Sequence, residues 1–83
     1  MNKLLNMRAT SLGPNHNIIY IDDVRYFLSY DTFIASIDNL GNITLTNDYD
    51  CSKTTMKYLC KFLNIPGIAK VRRLIKSGAI IVE

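Results

Sequence analysis

The sequence predicts an α+β domain: an antiparallel β-meander of three or four strands, then two basic amphipathic helices and a short C-terminal strand. Three observations carry that expectation. Between residues 18 and 46 apolar and polar residues alternate in short runs, cut at Asp22-Asp23, Tyr30-Asp31 and Asn39-Leu40-Gly41-Asn42. From Lys53 the apolar period lengthens to that of a helix. Charge changes at the same place. Residues 9–50 hold six aspartates against Arg25 alone, a net −5, whereas residues 51–82 hold seven cations and no acid, a net +7.

The 83 residues suffice for one small domain spanning 1–83, since a chain of this length buries only about 60–65% of its unfolded surface. A hydrophobic content of 48% with 20% charged residues is ordinary for a globular protein and argues against disorder. No apolar run approaches the ~20 residues of a membrane span. The start, MNKLLNMR, has no apolar stretch of the ~7–15 residues that a secretory signal carries. A soluble cytoplasmic protein without membrane partners is the expectation.

Residues 1–17 read as an N-terminal arm, helical or irregular from Lys3 to Arg8, followed by a loop around Gly13-Pro14-Asn15. The meander occupies 18–46. IIYI (18–21) and VRYFLSY (24–30) flank Asp22-Asp23, two turn formers that signal a hairpin. In the second run Val24, Tyr26, Leu28 and Tyr30 share one face and Arg25, Phe27 and Ser29 the other. A tight turn at Tyr30-Asp31 leads to TFIASID (32–38), where Phe33, Ala35 and Ile37 alternate with Thr32, Ile34 and Ser36. ITLT (43–46) follows, and the short connections favour sequential antiparallel pairing.

The helical pair spans 52–77. Met56, Leu59, Cys60 and Leu63 form an apolar stripe, while Lys53, Lys57 and Lys61 recur every fourth residue on a solvent-facing line. Asn64-Ile65-Pro66-Gly67 breaks this helix. The second carries Ile68, Val71, Leu74 and Ile75 on one side, with Lys70, Arg72, Arg73 and Lys76 around the rest. Ser77-Gly78 ends it, glycine suiting the left-handed closing position, and AIIV (79–82) reads as the last strand.

Lys53-Thr54 has the ending of a phosphate-binding loop, but Asn47 and Ser52 stand where that loop needs glycines, and Asp48 and Asp50 would repel phosphate from within it. Ser52, or Asp50, instead caps a helix by accepting hydrogen bonds from its first-turn N–H groups. Thr54 and Lys57 have the spacing of a serine/lysine acyl enzyme, but Thr54 is a hindered secondary hydroxyl. His16 has no carboxylate or nucleophile partner fixed by motif. Cys51 and Cys60 lack zinc spacing, with Cys60 expected in the core and Cys51 partly exposed, and a reducing cytosol disfavours a disulfide between them. The expectation is a chain that is not an enzyme, with no catalytic residues, metal or cofactor.

Binding is the expected activity. Lys53, Lys57, Lys61, Lys70, Arg72, Arg73 and Lys76 can neutralise phosphates and release counterions, which gives nucleic-acid affinity without a defined groove geometry. Arg72 and Arg73 can take phosphates or guanine edges bidentately. Leu59-Cys60-x-x-Leu63-Asn64-Ile65 followed by AKVRRLIKSG resembles a helix-turn-helix unit, although Pro66-Gly67 lengthens its turn. The plain alternative is a pair of solvated helices kept basic for solubility. Tyr26, Tyr30 and Tyr20 form a second candidate surface, for stacking bases or for packing beneath a helix. Exposed sheet edges leave homo-oligomer formation open.

Two stretches, Ser29-Tyr30-Asp31-Thr32-Phe33-Ile34-Ala35 and Thr54-Thr55-Met56-Lys57-Tyr58-Leu59, resemble a family of small phage and mobile-element proteins of unknown function. In that pattern a histidine is usual where Tyr58 stands. The resemblance covers residues 18–64 and implies a phage or prophage accessory protein acting in the host cytoplasm. The resemblance implies no defined activity; it is the basic surface that gives nucleic acid or a nucleic-acid-associated host protein as the expected partners. The alternative that the resemblance suggests is an anti-CRISPR-like inhibitor, which docks onto a host protein such as a defence nuclease.

Overall fold

In the computed structural model, which describes residues 7–83, eight elements follow in the order β1 (Met7–Gly13), β2 (His16–Ile21), β3 (Val24–Ser29), β4 (Thr32–Ile37), β5 (Ile43–Leu45), α1 (Lys53–Leu63), α2 (Ile68–Ser77) and β6 (Ile80–Val82). The strands form one six-stranded sheet in chain order, antiparallel except for the β5–β6 pair. That parallel pair requires a crossover, and the two helices supply it. The expected α+β architecture is therefore present. None of its helices is long and apolar enough to cross a membrane, among the described residues.

The sequence reading of the arm is corrected. Residues 1–6 lie outside the described residues, but Met7–Gly13 is a strand rather than a helical or irregular arm, while the expected loop around Gly13-Pro14-Asn15 is present as a turn. Met7 pairs with Ile21, Ala9 with Ile19 and Ser11 with Asn17. Its side chains are mostly exposed, so no period-two hydrophobic signal marks it. Pairing with the N–H and C=O groups that β2 leaves free accounts for the conformation. The turn into β2 runs through Pro14 and Asn15, with Asn15 at φ 63°, the proline-then-left-handed order of a type II turn.

Asp22-Asp23 forms the expected two-residue hairpin, with Asp22 at φ 53°. The β3–β4 turn also holds two residues, and there Tyr30 adopts φ 57°. A bulky side chain in this region stores backbone strain. The Tyr30 N–H donates to Asn15 O, tying the two turns together.

Strict alternation fails in β4. Phe27 pairs with Ala35 but Leu28 with Phe33, leaving Ile34 as an extra, bulged residue. Ile34 and Ala35 are consequently both buried, and the expected face of Phe33, Ala35 and Ile37 is split. Phe27, Ile34, Ile37, Leu45 and Ile80 meet Leu59, Phe62, Leu63 and Val71 in one core between sheet and helices. Among the described residues, the opposite face carries no helix. One row of cross-strand partners on it crosses all six strands, Ala9–Ile19–Tyr26–Ser36–Thr44–Ile81.

Candidate nucleic-acid interface

Helix α1 begins where the sequence places it. Ser52 accepts the Thr55 N–H at 3.0 Å, and Asn64 in the left-handed region, at φ 58°, closes the helix. The face it buries is rotated from the expected stripe. Thr55, Leu59, Phe62 and Leu63 are the buried residues, while Met56 and Cys60 are only half-buried. Phe62 stacks against Phe27 of the sheet at 5.6 Å, and so large a ring draws the helix toward its own side.

A chain of hydroxyls fixes the N-terminal end of α1 to the sheet. His16 Nδ1 lies 2.7 Å from Pro14 O, which can only accept, so Nδ1 carries the hydrogen. Nε2 is then free to accept the Ser29 hydroxyl at 3.1 Å. Ser29 Oγ accepts in turn from Thr55 Oγ1 at 2.9 Å, and Thr55 Oγ1 accepts from Ser52 Oγ at 3.0 Å. Cys51 Sγ also donates to Thr55 Oγ1, at 3.5 Å. A serine beside an imidazole has the outline of a nucleophile and its base. Here His16 is 1% exposed and Ser29 4%, and their hydrogen bonds are used between strand and helix. Among the described residues no buried side-chain polar atom lacks a partner, and no group of His, Cys, Asp or Glu could hold a metal.

The middle of α1 is held by an aromatic stack. Tyr58 lies on His16 at 4.3 Å with 24° between the rings, and His16 also stacks with Phe27 at 6.0 Å. Gly13 admits Tyr58, since a Cβ there would stand 2.5 Å from the phenol oxygen. Above the ring, Lys57 Nζ and Lys61 Nζ lie 5.6 and 5.4 Å from its centroid, within cation–π range.

The outcome is a positioned cationic row. Lys53, Lys57 and Lys61 are all exposed and follow one another by about 6 Å along the axis, four residues at the helical rise. Arg72 reaches from α2 to α1, its Nη2 lying 3.9 Å from Met56 Sδ. Lys70, Arg73 and Lys76 are exposed on α2, whose buried residue is Val71. Helical spacing sets Arg72 and Lys76 on one flank of α2, and Lys70 and Arg73 farther around its outer side. The structure therefore sets Arg72 beside the α1 row at the α1–α2 junction, with Lys76 one turn farther along the same flank of α2 and Lys70 and Arg73 around its outer side. A groove of about 650 Å³ runs beneath Lys57 and Lys61, floored by Leu12, Cys60, Ile65 and Pro66. It adjoins a second hollow of about 320 Å³ that Lys53 and Met56 border.

The three tyrosines form no common surface. Tyr20 pairs with Arg25 and Ile19 with Tyr26, so Tyr20 and Tyr26 point to opposite faces. Tyr30 lies in the turn, edge-on to His16 at 5.7 Å. Tyr26 packs edge-on against Phe33 on the helix-free face.

Cys51 is exposed and Cys60 half-buried, both as free thiols, and burial pushes the Cys60 thiol above its usual range. A cleft of about 390 Å³ at the N-terminal end of α1 brings together Ser29, Tyr30 and Thr32 of the stretch 29–35 and Thr55 of the stretch 54–59. Residues 2–78 match the model of a family of unknown function, DUF8033. No curated protein and no solved structure matches the chain.

Proposed function

The chain belongs to that DUF8033 family, and we propose that it is a phage-type accessory protein that acts by binding nucleic acid through the outer faces of α1 and α2. One observation carries the reading. The seven cations of residues 51–82 are all exposed on two adjoining helices, with no carboxylate in that segment to neutralise them. Lys53, Lys57 and Lys61 contact successive phosphates as point charges, and Arg72 adds a bidentate donor at the edge of the row.

The test is fluorescence anisotropy with labelled duplex and single-stranded oligonucleotides over a salt series. Binding should weaken linearly in the log–log plot. Lys57→Ala with Lys61→Ala should lower the slope by about 0.9 per lost phosphate contact on duplex DNA, or about 0.7 on a single strand. Arg72→Ala with Arg73→Ala should lower it further. Affinity that ignores both salt and these substitutions, or no affinity at low salt, rejects the reading.

A second reading draws on the groove itself, where lysines rim an apolar floor. That combination suits an acidic, partly apolar segment of a host protein, as an inhibitor of a nuclease would use. Capture of one host protein that survives nuclease treatment and is lost with Lys57→Ala and Lys61→Ala favours it.

A further inference from the structure

Among the described residues, the helix-free face of the sheet leaves an apolar surface uncovered. Met7, Phe33 and Ile81 are among the most exposed large hydrophobic residues, at 63, 50 and 56%. Their neighbours on this face include the half-buried Ile19, Ile21 and Leu28, and Phe33 already packs edge-on against Tyr26. No charged residue occurs in the row Ala9–Ile19–Tyr26–Ser36–Thr44–Ile81 or in the cross-strand sets beside it, Met7–Ile21–Val24 and Ser11–Asn17–Leu28–Phe33. Isolated exposed apolar residues are ordinary on a protein surface, but a contiguous apolar face of this kind, bordered at its β6 end by the Glu83 carboxylate beside Tyr26 and Phe33, marks an interface.

We infer that this face is the interface of a homodimer in which two copies pack sheet against sheet. Two features select a second copy as the occupant. The first is electrostatic. The chain carries a net charge of +3, and the cations of residues 51–82 lie on the helical side. Copies meeting through their open faces direct those cations away from each other and bury no charge from the rows at the interface. The second is size. Four strands of six or seven residues and two of three residues, at about 3.4 Å per residue and about 4.8 Å apart, outline roughly 500 Å² per copy. Two copies therefore bury about 1,000 Å², the extent a specific interface must reach. Twisted sheets pack in this manner about 10 Å apart at about −30°, with their side chains interdigitated. An isologous arrangement also closes on itself, so that assembly stops at two.

The experiment measures the mass of the full chain by sedimentation equilibrium over a concentration series, alongside Phe33→Glu, Ile81→Lys and Thr10→Pro. Phe33 and Ile81 are exposed, so their substitution leaves the folded monomer in place, which the far-UV spectrum and urea midpoint confirm. Thr10→Pro probes the alternative of pairing through the β1 edge. The expected result is a species of twice the 9.4 kDa chain mass. Its dissociation constant should rise at least tenfold with Phe33→Glu or Ile81→Lys and change less than threefold with Thr10→Pro. A monomer at every concentration overturns the proposal, as does a dimer lost only with Thr10→Pro. Nucleic-acid affinity is read separately and does not bear on the outcome.

Discussion

Replacing Gly13 by alanine sets two effects of opposite sign against each other. Gly13 is outside the left-handed region, so alanine suits its backbone and would by itself stabilise the fold by about 0.4–1 kcal/mol through the unfolded chain. Its Cβ, however, would stand 2.5 Å from Tyr58 Oη and 2.7 Å from both Cζ and Cε1. Those separations fall roughly an ångström short of the ~3.5–4.0 Å optimum between heavy atoms. Tyr58 has little room to retreat, since its ring lies 4.3 Å from His16 on one side and Lys57 and Lys61 extend over it. Overpacking of this kind costs about 1–3 kcal/mol, which leaves a net destabilisation of about 0.5–2 kcal/mol. Tyr58→Leu removes every clashing atom, and in that background Gly13→Ala should become stabilising. Urea unfolding checks both substitutions singly and together, reading the midpoint at constant slope. A neutral or stabilising Gly13→Ala in the natural sequence, or an equal cost in the two backgrounds, refutes the packing account.

Two further perturbations address other parts of the frame. Thr55→Val deprives Ser29 of a donor and Ser52 of an acceptor, and should cost about 1–3 kcal/mol in urea unfolding. Ser52→Ala, which removes the helix cap, should cost about 1 kcal/mol. Because both interrupt one hydrogen-bond chain, the double substitution should cost less than the sum, and strict additivity would contradict a connected chain. At the β4–β5 turn, the Asn42 N–H, the Asn42 amide and the Leu40 N–H hold the Asp38 carboxyl below its ordinary value of 3.8. A lowered value in the folded state contributes stability above the unfolded value, and that contribution disappears as pH falls through the folded one. Asp38→Asn should therefore be less stable than the natural sequence at neutral pH and converge with it in acid. A gap that does not change with pH would contradict the turn geometry.

Much of the frame was legible because local chemistry and tertiary structure agree. Asp22-Asp23, Ser52 and Gly78 each do what their short-range preferences suggest, as a hairpin turn, an N-cap and a left-handed closure. The elements that escaped reading are those decided by partners distant in sequence. β1 offers mostly exposed side chains and is a strand because β2 is beside it. The bulge at Ile34 breaks the alternation that assigns faces, and Phe62 enters the core through its stack on Phe27 rather than through the apolar stripe of its own helix. His16 was nearer to recognition. Counting outward from the Asp22-Asp23 turn sets His16 opposite Ser29, so a strand begun at residue 16 rather than 18 would have exposed the pair. Nothing in local sequence, by contrast, signals that Thr55 completes it.

The charge step along the chain does not become a step across the molecule, and this bounds what the basic helices can grip. The antiparallel connections bring Asp22, Asp23 and Asp38 to one end of the sheet. Asp31, Asp48 and Asp50 fall toward the other end, near the start of α1. A polyanion lying on the helices meets carboxylates at both ends of the sheet, so its favourable contacts are confined to the helical face. With seven cations on that face, the log–log salt slope on duplex DNA cannot exceed about 6 in magnitude. If the junction group of Lys53, Lys57, Lys61 and Arg72 carries the contact, the slope falls to about 3.6. The difference separates a footprint across both helices from one seated on the α1 row and its bordering arginine.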